Sequence, residues 1–310
     1  MAKSLILRSM LYIPANSWRM VVNGLSGMED AVILDLEDAV PVGEKETGRI
    51  FARDSISMFK DAGINVFVRV NSFGSGLTEE DISKVVARGL DGIMLPKTET
   101  EDDIVGLDKL LAEEEKKKDL QSDSIGILAL VESPRGVQNA FGIAAASPRL
   151  IGIGFGAGDF LREMGAGFAV TRLSPEEYYP LILYARSRIA LAARISKVEA
   201  TDTPFFGLLI DSKGLHQESE QVRLLGFTGK QLIHPRHVDT INEVFTPSEE
   251  DIEYAKSVVA AYEEAETRGA GAAAFKGRMI DYAMYLMGKD VLAKAGAIRD
   301  KADARREKVF

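Results

Sequence analysis

Short apolar runs alternate with longer stretches of helical periodicity along most of the chain. The runs are Ile6–Ile13 before Pro14, Ala31–Leu36 among acids, Ile64–Val70 before Asn71 and Gly92–Leu95 before Pro96. They continue with Ile125–Val131 before Glu132, Leu150–Phe155, Lys197–Ala200 and Gln231–Ile233. Each has the length and flanking residues of a strand. Helical segments lie between them: Ser17–Leu25 capped by Asn16, Glu44–Ala62 stopped by Gly63, and a helix capped by Thr78 with Asp81 three residues on. Glu101–Lys118, Val137–Ala146, Pro175–Ile195 capped by Ser174, Ser212–Leu225 and His237–Phe245 complete the set. Repeated strand-then-helix units imply a parallel sheet, and eight of them an α/β fold closed as a (β/α)8 TIM barrel. An open doubly wound sheet is the rival. It lacks a GxGxxG after the first strand, and GFGAGDF at 154–160 sits mid-chain and ends in an acid.

After Phe245 the pattern changes. Pro247 and Ser248 open a long helix to about Arg268, Gly269–Ala274 reads as a flexible joint, and a last segment runs from Phe275 into the charged tail Asp300–Lys308. The expected organisation is a barrel domain over 1–246 and a C-terminal helical extension over 247–310. That extension packs on the barrel's outside, covers its mouth as a lid, or reaches a neighbouring subunit.

Composition narrows the chemistry. With 310 residues, 46% of them hydrophobic, the chain can bury a large core. A net charge of -9 argues against a nucleic-acid partner, whose phosphates need a basic surface. There is no cysteine and there are only three histidines, so thiolate and His-rich zinc sites are excluded and oxygen ligands point to Mg²⁺, Mn²⁺ or Ca²⁺. No signal peptide and no run long enough to span a bilayer is visible, so a cytoplasmic protein without membrane contact is expected.

In such a barrel the active site is built at the C-terminal ends of the strands. Those ends carry Tyr12 and Pro14; Asp35, Glu37 and Asp38; Arg69 and Asn71; Pro96 and Lys97; Glu132; Asp159; Thr201 and Asp202; and His234. A single acid there is as well explained by helix capping. Acids after several successive strands repel one another and favour a cation between them. Glu132 and Asp159, past two neighbouring strands, suit a Mg²⁺ ion held by one or two carboxylates plus substrate oxygens. Arg69 reads either as a salt bridge to the DLED acids or, preferred here, as a fork for a substrate carboxylate or a developing enolate charge. Asp35 reads as partly structural, and His234 as a hydrogen-bonded structural residue.

These residues sit in segments that resemble the HpcH/HpaI aldolase and citrate lyase beta subunit family, especially its citramalyl-CoA and malyl-CoA lyases. The segments are RSMLYIPAN at 8–16, AVILDLEDAVP at 31–41, VRVNSFGSGL at 68–77, GIMLPKTE at 92–99, LVES at 130–133, FGAGDF at 155–160, LYARSRI at 183–189, GFTGKQLIHP at 226–235 and GRMID at 277–281. They keep their order over nearly the whole chain.

The resemblance implies a homotrimer or hexamer with Mg²⁺ (or Mn²⁺) on Glu132 and Asp159, and a substrate-binding Arg69. It places Glu37 and Asp38 behind the ion, orienting its bound water. It puts Tyr12 and Arg19 on the coenzyme A portion and Asp202 on a substrate-side loop. It also makes Asp281 a catalytic acid inserted by a neighbouring subunit. The chain departs from the family at Gly158, where Glu is common, and at Tyr282, where proline often follows MID. The implied activity is Mg²⁺-dependent cleavage or formation of a 3-hydroxyacyl-CoA, such as citramalyl-CoA or malyl-CoA, to acetyl-CoA and a 2-oxo acid. The alternatives are a citrate lyase subunit acting on a carrier-bound citryl thioester, or a CoA-independent 2-oxo-acid aldolase.

Overall fold

The computed structural model describes residues 5–168, 172–269, 271–275 and 277–309. It divides into two compact units, Leu7–Phe245 and a second made of Thr246–Phe310 with the residues up to Ile6. In the first, eight parallel strands close in sequence order: β1 (Ser9–Pro14), β2 (Ala31–Asp35), β3 (Asn65–Arg69), β4 (Gly92–Leu95), β5 (Gly126–Val131), β6 (Leu150–Phe155), β7 (Glu199–Asp202) and β8 (Gly229–Leu232), which pairs back onto β1. The intervening helices are α1 (Trp18–Gly24), α2 (Lys45–Asp61), α3 (Thr78–Val85), α4 (Glu101–Lys117), α5 (Pro134–Ala145), α6 (Ala157–Glu163), α7 (Pro175–Ser196), α8 (Ser212–Leu225) and α9 (Val238–Val244). The fold is the expected (β/α)8 barrel.

Strand alternation sorts the core into two parts. Val32, Leu34, Val66, Val68, Ile93, Ile127, Ala129 and Ile153 belong to the large cluster under the helices. Ile33, Phe67, Met94 and Leu128 are equally buried but stand apart from it and fill the barrel. The inward set continues past them. Asp35 follows Ile33 by two, Arg69 follows Phe67 by two, and Glu132 follows Leu130 by two. Parity thus delivers all three charged groups to the mouth. Inside β6 the inward positions are glycines, and a Cβ on Gly154 would come within 2.8 Å of Gln231 Nε2, so the bare strand makes room for that amide.

Several local expectations differ. The N-cap of α1 is Ser17 without a side-chain bond, and the Asn16 amide instead donates to Glu44. Thr78 is the first residue of α3, with its hydroxyl donating to the Asn71 carbonyl. Asp81 accepts from the Asn71 amide and pairs with Arg49. β7 lies two residues later than Lys197–Ala200, which moves Asp202 from a loop into the strand.

The second unit holds α10 (Glu249–Thr267), opened by a Ser248–Asp251 capping box, and α11 (Tyr282–Val309). Between them the expected flexible joint is in part a hairpin of β9 (Ala273–Phe275) with β10 (Arg278–Ile280), whose pairing gives the backbone its partners; Ala270 lies outside the described residues. Val258, Tyr262 and Ile280 form its core. Among the described residues no helix is long and apolar enough to cross a membrane.

Candidate active site

The mouth is built on a polar floor. Tyr12, inward on β1, donates its hydroxyl to Gln231 Oε1 at 2.8 Å, and the Gln231 amide approaches the Phe155 and Thr201 carbonyls at 3.3 Å each. Arg69 lies over the Tyr12 ring, its guanidinium carbon 4.8 Å from the ring centre. Its Nε and Nη2 grip Asp35 at 2.7 and 2.6 Å, and Nη1 stands 3.1 Å from Glu37. Asp35 also accepts from the backbone N–H groups of Glu37 and Ala39, which folds the DLED loop over it. Lys45, itself buried, donates to the carbonyls of Leu36 and Glu37 and to Asn71 Oδ1.

Glu132 is the acid under most strain. It is 5% exposed, and its Oε1 accepts the Lys97 backbone N–H at 2.8 Å. Lys97 adopts a left-handed φ of 52°, a conformation that a β-carbon disfavours. The same lysine reaches Glu37 with its ammonium at 2.6 Å. Burial pushes the Glu132 carboxyl up to about 8. The charges of Glu37 and Asp159 add to the effect, against the pull of the Lys97 amide and Arg69. Burial likewise raises Glu37, although Arg69 and Lys97 oppose it. Asp159 sits in the first turn of α6 and bonds Arg162 at 3.1 Å.

Two carboxylates suit Mg²⁺, which prefers one or two acids plus waters and substrate oxygens. Among the described residues no group of three or more His, Asp or Glu converges as a closed cage. The fit rests on Glu132. Its second oxygen faces bare Gly156, where a Cβ would come within 2.6 Å of it, and burial together with the neighbouring negative charge favours its protonated form. A divalent cation there relieves that pressure.

The mouth opens in two lobes that share Glu132 and Asp159. One, of about 460 Å³, is rimmed by Lys97, Arg135 and Arg162. The other, of about 490 Å³, is lined by the charged Arg69, Asp35 and Asp38 and by the apolar Leu130, Pro204, Phe206 and Ile233.

The structure brings Tyr12, Glu37, Asp38, Arg69, Glu132 and Asp159 together, with Asp38 mostly exposed, 4.0 Å from the Lys97 ammonium. Arg19 is exposed on α1, which leaves the mouth end of β1. Tyr12 stands on the floor of the mouth, its hydroxyl bound to Gln231. Two expectations need correction. The Arg69 fork is occupied by Asp35, so a substrate carboxylate cannot take both its edges. Asp202 does not face a substrate. Strand parity turns it outward, where it is fully buried between Arg186, at 2.9 Å from each carboxylate oxygen, and Lys230 at 2.5 Å, with Glu218 closing the square. Asp281 lies in the second unit, exposed, with its carboxylate accepting the Met284 N–H at the start of α11.

Sequence reasoning missed Gln231, Phe206 and Lys45. Gln231 was visible as an amide in an apolar strand, and Lys45 as a lysine that its helix buries. Phe206 gave no signal, being one apolar residue in an apolar loop.

Comparison with known proteins agrees with this architecture. The profile of the HpcH/HpaI aldolase/citrate lyase family matches residues 8–235, and that of the carbon–carbon bond lyases of the TIM-barrel fold matches residues 185–295. The chain is 36% identical to citrate lyase subunit beta of Haemophilus influenzae over 93% of its own length and 96% of that protein's. It is 33% identical to a (3S)-malyl-CoA thioesterase of Cereibacter sphaeroides over 94% and 95%. The crystal structure of CitE from Mycobacterium tuberculosis, in complex with magnesium, acetoacetate and coenzyme A, matches with a TM-score of 0.74 at 28% identity, over 93% of this chain and 98% of that one. An eight-stranded barrel with acids at its mouth and a family profile running across 8–235 lead to one assignment: the chain belongs to the HpcH/HpaI aldolase/citrate lyase family and is a carbon–carbon lyase of the oxo-acid-lyase type.

Proposed function

We propose that this chain is a Mg²⁺-dependent lyase that cleaves, or in reverse forms, a 3-hydroxyacyl-CoA such as citramalyl-CoA or malyl-CoA, giving acetyl-CoA and a 2-oxo acid. The observation that carries the reading is the Glu132 carboxyl, buried beside Glu37 and Asp159 and pushed up to about 8. Glu132 and Asp159 would hold the ion, with Mn²⁺ as a substitute; when bound, it supplies Lewis-acid polarisation of the 2-oxo acid's carbonyl. Asp35 fixes the Arg69 guanidinium over Tyr12, and its Nη1 edge, shared with Glu37, stabilises oxygen charge that develops on the acetyl half. Glu37 and Asp38 orient water next to the two carboxylates. Asp281, contributed by a neighbouring subunit of a trimer or hexamer, exchanges the proton at the acetyl methyl carbon. Arg19 meets the anionic part of coenzyme A. The setting is cytoplasmic.

Support comes from relatives as well as geometry. The solved relative holds magnesium and coenzyme A together, and a second relative is named for malyl-CoA. The test is a panel of CoA thioesters incubated with Mg²⁺ and read by mass spectrometry in both directions. Release of acetyl-CoA with an equimolar 2-oxo acid is expected; release of free CoA alone would point to thioester hydrolysis instead. A second reading is favoured by the 36% identity to citrate lyase subunit beta: the thioester arrives on a carrier protein. Inertness toward every free CoA thioester, with capture of a purified acyl carrier protein, would select it.

A further inference from the structure

The lobe that contains Arg69 has two unlike kinds of lining. Its only cation among the described lining residues is Arg69, already engaged by Asp35 and Glu37, while Asp35, Asp38, Glu132 and Asp159 supply four acids. The lobe's apolar lining is formed by Leu130, Pro204, Phe206 and Ile233. The Phe206 ring is braced from behind by buried Tyr178, with centroids 5.3 Å apart. It also stands over Gly158, where an added Cβ would meet its Cζ at 3.7 Å. A methyl group there would fit in ordinary contact, but a longer side chain would run into the ring. The absence of a side chain at 158 therefore leaves room for the ring in the lobe that Asp159 also lines.

We propose that Phe206, seated on Gly158, is a specificity-determining wall. It selects a 2-oxo acid half that carries hydrocarbon on its carbonyl carbon over one that carries a second carboxylate or only hydrogen. This rests on the lyase reading, since it names the acyl class that the reaction would handle. The charge balance decides against a second carboxylate. Four acids face one engaged arginine; a divalent ion and the first substrate carboxylate leave the lobe with no positive charge to spare. A further carboxylate turned to the Phe206 wall would meet hydrocarbon and find no cation. Hydrogen in the same place leaves the wall unfilled. A missing methyl in an apolar pocket weakens binding by roughly 10- to 200-fold.

The experiment is calorimetric titration of glyoxylate, pyruvate and oxaloacetate into the full chain loaded with Mg²⁺, for the natural protein and for Phe206→Leu and Phe206→Ser. Pyruvate should bind about tenfold or more tightly than either other acid. Phe206→Leu should keep the ladder, and Phe206→Ser should flatten it while the Mg²⁺ affinity stays put. Phe206 is half exposed, so these variants should fold, and an unchanged thermal unfolding curve verifies it. Oxaloacetate binding as tightly as pyruvate, or a ladder untouched by Phe206→Ser, overturns the proposal. These affinities do not depend on turnover. A ladder without acetyl-CoA release from any thioester would sink the lyase reading alone.

Discussion

Two buried charge assemblies of the same barrel behave in opposite ways. Behind β7 and β8, Arg186 and Lys230 face Asp202 and Glu218: two cations and two acids, joined by contacts of 2.5 to 3.0 Å. Burial alone would push the Asp202 carboxyl up, but Arg186 and Lys230 together outweigh it and hold it below the usual carboxylate range. At the mouth, Asp35, Glu37, Glu132 and Asp159 share Arg69 and the reach of Lys97. There burial wins, and Glu132 rises to about 8. A balanced square ties strands to helices. An unbalanced one favours a cation between its acids, a demand that the proposed divalent ion would meet.

The sharpest way to break the comparison is Glu132→Gln. Turnover should fall by roughly a thousandfold or more, worth about 4 kcal/mol of barrier, and Mg²⁺ binding should vanish with it. The fold should nevertheless gain stability at alkaline pH. A carboxyl raised from its unfolded value to about 8 contributes stability below about pH 4.5 that is lost as pH rises toward 8, because the folded state binds the extra proton over that window. Metal-free natural protein should thus unfold at a lower temperature at pH 8.5 than at pH 5.5 by more than the Gln variant does, a difference that scanning calorimetry reads.

Asp281→Asn should come next, cutting turnover by roughly 10²- to 10⁴-fold while leaving the Mg²⁺ affinity unchanged. Equal loss of both would place Asp281 among the ion's ligands. Asp202→Asn should act on stability. Removing one acid from the square strands two buried cations, at a cost of about 3–5 kcal/mol in denaturant unfolding, with Mg²⁺ affinity of the folded fraction intact. Arg69→Lys should be the mildest of the substitutions. It keeps the charge but loses the two-pronged grip on Asp35, and a drop of kcat larger than any rise in KM separates a role in the reaction from one in binding.

Much of this architecture was legible in the chain. Eight apolar runs with helical stretches between them fix a barrel, because the period of the hydrophobic pattern is local information. The inward parity of Asp35, Arg69 and Glu132 follows from the same period. What failed was register and partnership. The later start of β7 took Asp202 from a loop at the mouth into the strand, on its outward face, since a weakly apolar strand does not specify its own ends. The Arg69 fork went to Asp35 because the two are directly opposed across β2 and β3, a pairing that only the closed sheet creates. Phe206 became a wall through its contacts with Tyr178 and Gly158, distant in sequence and invisible to composition.

The central claim, that the mouth acids await a divalent ion, is tested most directly by titrating Mg²⁺ into the metal-free chain in buffers of different ionisation enthalpy. Near pH 6.5 each bound ion should displace about one proton, which disappears near pH 9.5 and in Glu132→Gln with the binding itself. Mg²⁺ binding without proton release at the lower pH, or binding that survives Glu132→Gln, would contradict the account.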